Sequence, residues 1–243
     1  MKSDIYKIRR SLFYWLHLIF PLCGMGLMVL FALFSKANYI VKFAAFFQLF
    51  AIAYPFVIGV VCENIVDQEA RAGHCQNMLM LADRKKAIIS KFLILISCGF
   101  LSLFTSALLY ELLLNHILPN TQLSIVLFLK PVIILWGSNL MIYALHLIIA
   151  FQFGKNACIG VGVVGSLLTA LMQTDLGTGL WFLLPHGIGI RLTEASLNSF
   201  FINDFVLEKE VKLGYISAIM MTVFCVVGMI IWFSFYGGQN TTD

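Results

Sequence analysis

Charge is scarce in this sequence. Only 12% of its 243 residues are Asp, Glu, Lys or Arg, about half the share of an ordinary soluble domain. So few charges cannot cover a water-facing surface, and hydrophobic residues make up 60% of the chain. The apolar surplus, including 22 phenylalanines, must face lipid. The net charge of +4 is also too small and too unevenly placed for a nucleic-acid footprint. Catalytic and nucleotide-binding patterns are missing as well. There is no G-x-x-x-x-G-K-[ST]: the only Gly-Lys pair, Gly154-Lys155, has Ile149 where the first glycine should stand and Asn156 after the lysine. Neither H-E-x-x-H nor G-x-S-x-G occurs, and His17, His74, His116, His146 and His186 lie on separate segments. No catalytic constellation can be built from these, so the chain reads as a non-enzyme that binds no cofactor or metal. Cys23, Cys62, Cys75, Cys98, Cys158 and Cys225 form no C-x-x-C pair. They read as small apolar residues and not as a disulfide or metal framework.

What the chain does contain is long apolar runs. Six stand out, at about 13–34, 40–62, 92–114, 124–151, 157–174 and 214–236. Each is near or above the length a helix needs to cross about 30 Å of hydrocarbon. Helix is the expected form, because barrel strands would show short alternating segments. The expectation is an all-α integral membrane protein of six spans forming one domain over residues 1–243. The basic start MKSDIYKIRR precedes an apolar run of about 22 residues, longer than a secretory h-region, so this run is expected to remain as the first span.

Orientation follows from the basic residues. With the N-terminus inside, ten of the sixteen Lys and Arg fall in inner segments, among them Lys7, Arg9, Arg10, Arg71, Arg84, Lys85, Lys86 and Lys155. The outer side is diluted by Asp175, Glu194, Asp204, Glu208 and Glu210. The bias places both termini in the cytoplasm.

Residues 63–91 form a long cytoplasmic loop that mixes Glu63, Asp67, Glu69 and Arg71 with Ile65, Val66, Met78 and Leu79. It contains no proline, and helix formers dominate. An amphipathic helix is expected here, interrupted at Gly73 and followed by the basic cluster Arg84-Lys85-Lys86. That cluster reads either as an inner-leaflet anchor or as a contact with a partner.

A charged helix after the second span, E-x-x-x-G from Glu69 to Gly73, a basic stretch and a Lys at the third span together resemble the ABC-2-type exporter permeases. The resemblance implies that residues 63–91 carry a coupling helix docking into a separate ABC ATPase, which would hold ATP and Mg. Glu63, Asp67, Glu69, Gly73, Arg84, Lys85 and Lys86 would be its coupling residues. The chain's size, the segment GTGLWFLLPHGIGIRLTEA (177–195) and the Arg-Lys-Lys run also look similar to the small permeases of lantibiotic immunity transporters. That likeness implies a bacterial cytoplasmic membrane protein that pairs with a second, related permease or with a copy of itself. Its cargo would be an antimicrobial peptide expelled from the membrane. A different hydrophobic cargo (drug, lipid or ion) or a non-transporting scaffold or receptor remain the other readings.

Two further features have chemical interest. Residues 177–190 are apolar but short and carry Gly177, Gly179, Pro185, Gly187 and Gly189. They read as a re-entrant or interfacial external element before span six. Trp181, Phe182 and His186 suit the headgroup level, and with Pro185 they form a candidate cargo gate. On span five, Gly162, Ser166 and Ala170 recur at four-residue spacing, which allows close helix approach within or between subunits. Gln48, Asn139, His146 and Gln173 are polar groups inside apolar runs that either bond across helices or line a pathway, and Glu111, an acid near the outer end of span three, reads as a snorkelling side chain.

Overall fold

The computed structural model of the chain describes residues 12–73, 75–80, 83–118, 125–201 and 208–238. The basic segment before residue 12 lies outside the described residues. The elements are α1 (Leu12–Phe34), α2 (Tyr39–Arg71), α3 (Gln76–Leu79), α4 (Arg84–Ile117), α5 (Ile125–Ser138) and α6 (Leu140–Gln173). Two 3-10 turns, Asp175–Gly177 and Trp181–Leu183, lead into α7 (Pro185–Phe201), and α8 (Glu208–Phe235) closes the chain. The described residues contain helices and no strand, so their backbone groups are satisfied within each segment, as lipid requires.

Apolar runs become helices, but their boundaries are set by caps and glycines. Asn38 accepts a bond from Val41 N at 3.0 Å and opens α2. That helix then continues 33 residues to Arg71, well past the apolar run that ends near residue 62. The expected separate amphipathic helix is therefore not what forms. Residues 63–71 are the end of α2, Arg84–Lys91 are the start of α4, and among the described residues between them the four-residue α3 is the only helix. The physical reason is that no proline or glycine falls between Gly59 and Gly73. Pairs such as Gln68–Asn64 and Arg71–Asp67 also carry the helix outward at i,i+4 spacing. The turn comes at Gly73, whose φ of 130° suits glycine alone.

Among the described residues five helices are long and apolar enough to span a bilayer, against the six expected. The difference lies in residues 125–173. Asn139 separates α5 from α6, so the expected 124–151 span is two helical pieces. Inside α6, Gly154 takes φ 76° and ψ −165°, far from helical values. Cys158 Sγ lies 3.6 Å from the carbonyl of His146. In one continuous helix, residues twelve apart would be about 18 Å apart. The chain therefore reverses at Gly154, and α6 is two arms folded on each other.

α1, α2 and α4 run alternately. At one end Lys42 Nζ donates to Ala32 O at 2.7 Å, and Tyr110 Oη donates to Lys42 O at 3.0 Å. Glu111, buried at this end, accepts from Tyr39 and from Asn115. At the other end stand the start of α1 and the α2–α4 tip. There Arg84 Nη1 donates to Tyr236 O at 3.2 Å, and Tyr236 Oη donates to Phe151 O at 2.7 Å. The tip, the end of α8 and the Gly154 reversal thus meet at the end where α1 begins. α2 and α6 form the packed centre, while the spans of α1 and α8 are only 6% and 11% buried, as lipid-facing helices would be.

Candidate functional site

The α2–α4 tip separates its charged residues into two groups. Glu69 and Lys91 are paired at 2.6 Å with side chains 2% and 4% exposed. They lock the two helices together and do not face outward, so Glu69 serves the hairpin's interior and not its surface. Glu63 is buried too, with Lys155 of the reversal as its electrostatic neighbour. Outside are Arg71, Gly73, Gln76, Met80, Lys85 and Lys86, and Met80 is 83% exposed. Asp67 is half-buried and pairs with Arg71 at 2.8 Å.

The tip is rigidly supported. Asp83 caps α4 by accepting from Lys86 N at 3.3 Å, and its bonds to Lys86 hold its carboxyl below the usual range. Arg84 bridges Leu79 O at 2.9 Å to Tyr236 O. Of the expected coupling residues, Gly73, Lys85 and Lys86 are exposed, Arg84 is a strut, and Glu63 and Glu69 are buried. Arg71 and Met80 join the surface without having been singled out for it. Cys75 lies inside the turn at φ 62°, and burial pushes its thiol up.

The small-residue stripe packs against α2 of the same chain. A Cβ at Gly162 would lie 3.0 Å from Pro55 O, and Ser166 Oγ accepts from Phe56 N at 3.2 Å. Proline disturbs the helical ladder at this point, and the serine offers the next amide a partner. Ala170 is half-buried.

The segment between α6 and α8 doubles back. α7 starts beside the middle of the second arm of α6, where a Cβ on Gly165 would meet His186 Nε2 at 2.6 Å. It passes that arm's end, where Arg191 donates to Met172 O and Thr174 O, each at 2.7 Å. The two 3-10 turns therefore carry the chain back along the arm before α7 leaves again. Gly187 and Gly189 lie within α7 and do not break it. They let α7 approach the Trp181 carbonyl and Asn139 closely. Pro185 occupies the first helical position, where its missing N–H is harmless.

Trp181 is 3% exposed, packs against Gly214 and donates to Glu210 at 3.1 Å. It is a strut between this segment and α8, and not a headgroup anchor. Phe182 is half-buried against the core. Burial lowers the pKa of His186, whose Nε2 has no hydrogen-bond partner among the described residues. Next to Trp181, burial raises the Glu194 carboxyl while Arg191 at 3.6 Å opposes the shift. Trp181 therefore packs on α8 and His186 on the second arm of α6, so the two side chains serve different contacts.

The described residues thus form helices, five of them long and apolar enough to cross a membrane, with a braced polar tip at one end. Residues 1–169 match the family described as ABC-2 family transporter protein. The chain belongs to that family: it is a multi-pass permease subunit of an ABC transporter, the component without an ATPase site of its own. No curated protein and no solved structure matches it.

Proposed function

We propose that this permease expels a lantibiotic-type antimicrobial peptide from a bacterial cytoplasmic membrane and so protects the producing cell. It works with a cytoplasmic ABC ATPase that holds ATP and Mg, and with a second related permease or a copy of itself. The two arms of α6 supply the fourth and fifth of six spans, and both termini lie in the cytoplasm. The exposed tip, with Arg71, Met80, Lys85 and Lys86, is the ATPase docking surface. The doubled-back segment before α8 is the re-entrant external element that gates the cargo.

The observation that carries the coupling is Met80, held out at the apex of a hairpin locked by Glu69–Lys91. A surface that receives work must be both accessible and stiff, and this one is. The test is co-purification of the encoded ATPase with the permease. Met80→Asp and Lys85→Glu are expected to abolish capture of the ATPase with the spans intact. Unchanged capture by both would remove the docking assignment. Cargo is tested by deleting the transporter genes and challenging cells with a lanthionine peptide. Unaltered sensitivity would leave a permease for a drug, lipid or ion.

A further inference from the structure

A cavity of about 270 Å³ lies between α1, α2 and α4. Gly24 of α1, Ala53 of α2 and Gly99 of α4 are among the residues that line it. These stand near the centres of their apolar runs, as does Ser102. The cavity is therefore at hydrocarbon depth. Its outer wall is α1, the least buried of the spans, with Cys23 and Leu27 exposed at its rim.

The hydroxyls on its wall are already engaged. Ser102 Oγ donates to His17 O at 2.7 Å. Tyr54 Oη donates to Gly99 O at 3.4 Å, and Tyr143 bonds to Tyr54. An occupant is offered no free hydroxyl here, and the remaining wall is overwhelmingly apolar. Apolar cavities of this kind exclude water. An empty one would forfeit the dispersion contacts of its lining. Its rim residues Cys23 and Leu27 are exposed on α1 near the centre of an apolar run, where the available apolar matter in a bilayer is hydrocarbon chain.

From this we infer that the cavity is a binding site for one acyl chain of a membrane phospholipid, inserted between α1 and the α2–α4 pair. The lipid is part of the folded subunit and fills what the side chains leave vacant. This inference does not depend on the cargo or on the ATPase.

The test places the full chain in liposomes containing a phospholipid with a diazirine at mid-chain, then maps the photolabel by peptide. In the wild-type protein, label on residues 16–27 and 49–57 is expected to exceed several-fold that on the exposed face of α8 at Ile219, Met220 and Phe224. When detergent exchange precedes irradiation, label on these two segments should persist while that on α8 is lost. Equal labelling of the two regions, with equal loss on exchange, would overturn the inference without recourse to any variant. Ala53→Phe and Val57→Phe, which fill the cavity, should then reduce label at the first two segments only. The α8 label reports that each variant is inserted. Undiminished cavity label in an inserted variant would likewise overturn it.

Discussion

Glu69 and Asp67 are two residues apart, yet the structure gives them opposite work. Glu69 is paired with Lys91 inside the hairpin, whereas Asp67 pairs with Arg71, whose side chain is 79% exposed. Removing one partner of a buried pair leaves a charge without compensation, at a cost of about 3–5 kcal/mol. An exposed i,i+4 pair is worth roughly 0.3–0.5 kcal/mol. Glu69→Gln or Lys91→Met is therefore expected to lower the thermal midpoint in detergent strongly, and Asp67→Asn hardly at all. Replacing both Glu69 and Lys91 by methionine should recover much of the loss. Equal small effects from Glu69→Gln and Asp67→Asn would show that the pair does not lock the tip. Glu69, Gly73 and the lysine at the start of the third span stand out in the sequence as a pattern. That Glu69 turns inward to Lys91, 22 residues later, does not, because the pairing is non-local and leaves no periodic trace. Trp181 presents a similar difficulty. In a chain this apolar, hydrophobicity no longer separates a lipid-facing ring from a buried one. Only the gap at Gly214 shows which it is.

At the scale of the element, apolar length overlaps α1, α2, α4 and α8 but misses their ends, since α2 runs on to Arg71 and α4 starts at Arg84, and hydrocarbon thickness fixes only a minimum helix length. It failed between residues 125 and 173, where continuous apolarity conceals a break at Asn139 and a reversal at Gly154. The backbone at Gly154 lies in a region open essentially to glycine, and another residue there costs about 1–3 kcal/mol. Gly160 is in the helical second arm, and a Cβ there meets nothing within 4 Å. Gly154→Ala is thus expected to destabilise the subunit by that order. Gly160→Ala should be neutral or stabilising by about 0.5–1 kcal/mol, as helix propensity dictates. Matched thermal unfolding of the two variants decides the matter. A neutral Gly154→Ala would mean that the arms are not held by this turn. The second arm's small residues were legible as a close-packing face, but their partner, the Pro55–Phe56 step of α2, was not. Spacing along one helix says how near a neighbour comes, not which neighbour it is.

For the whole molecule, the decisive arrangement is that several features gather at one end. The α2–α4 tip, the Gly154 reversal and Tyr236 after α8 are joined there through Arg84, Tyr236 and Phe151. The turns around Gly177 lie beyond the far end of the second arm. Positive charge follows the same division, with Arg71, Arg84, Lys85, Lys86 and Lys155 at the tip end. Moving such a cluster across a bilayer is costly, which is why basic loops stay in the cytoplasm. A cysteine probe tests the arrangement directly. In a background with the six native cysteines replaced by alanine or serine, Gln76→Cys and Thr178→Cys both put a thiol at an exposed position. A membrane-impermeant maleimide added to intact cells should label Thr178→Cys and spare Gln76→Cys, and inside-out vesicles should reverse the pattern. Labelling of both from the same side would contradict the fold, since the arms between them could not then cross. Labelling in the opposite sense would keep the fold but place the tip outside, where no ATP-driven partner could reach it.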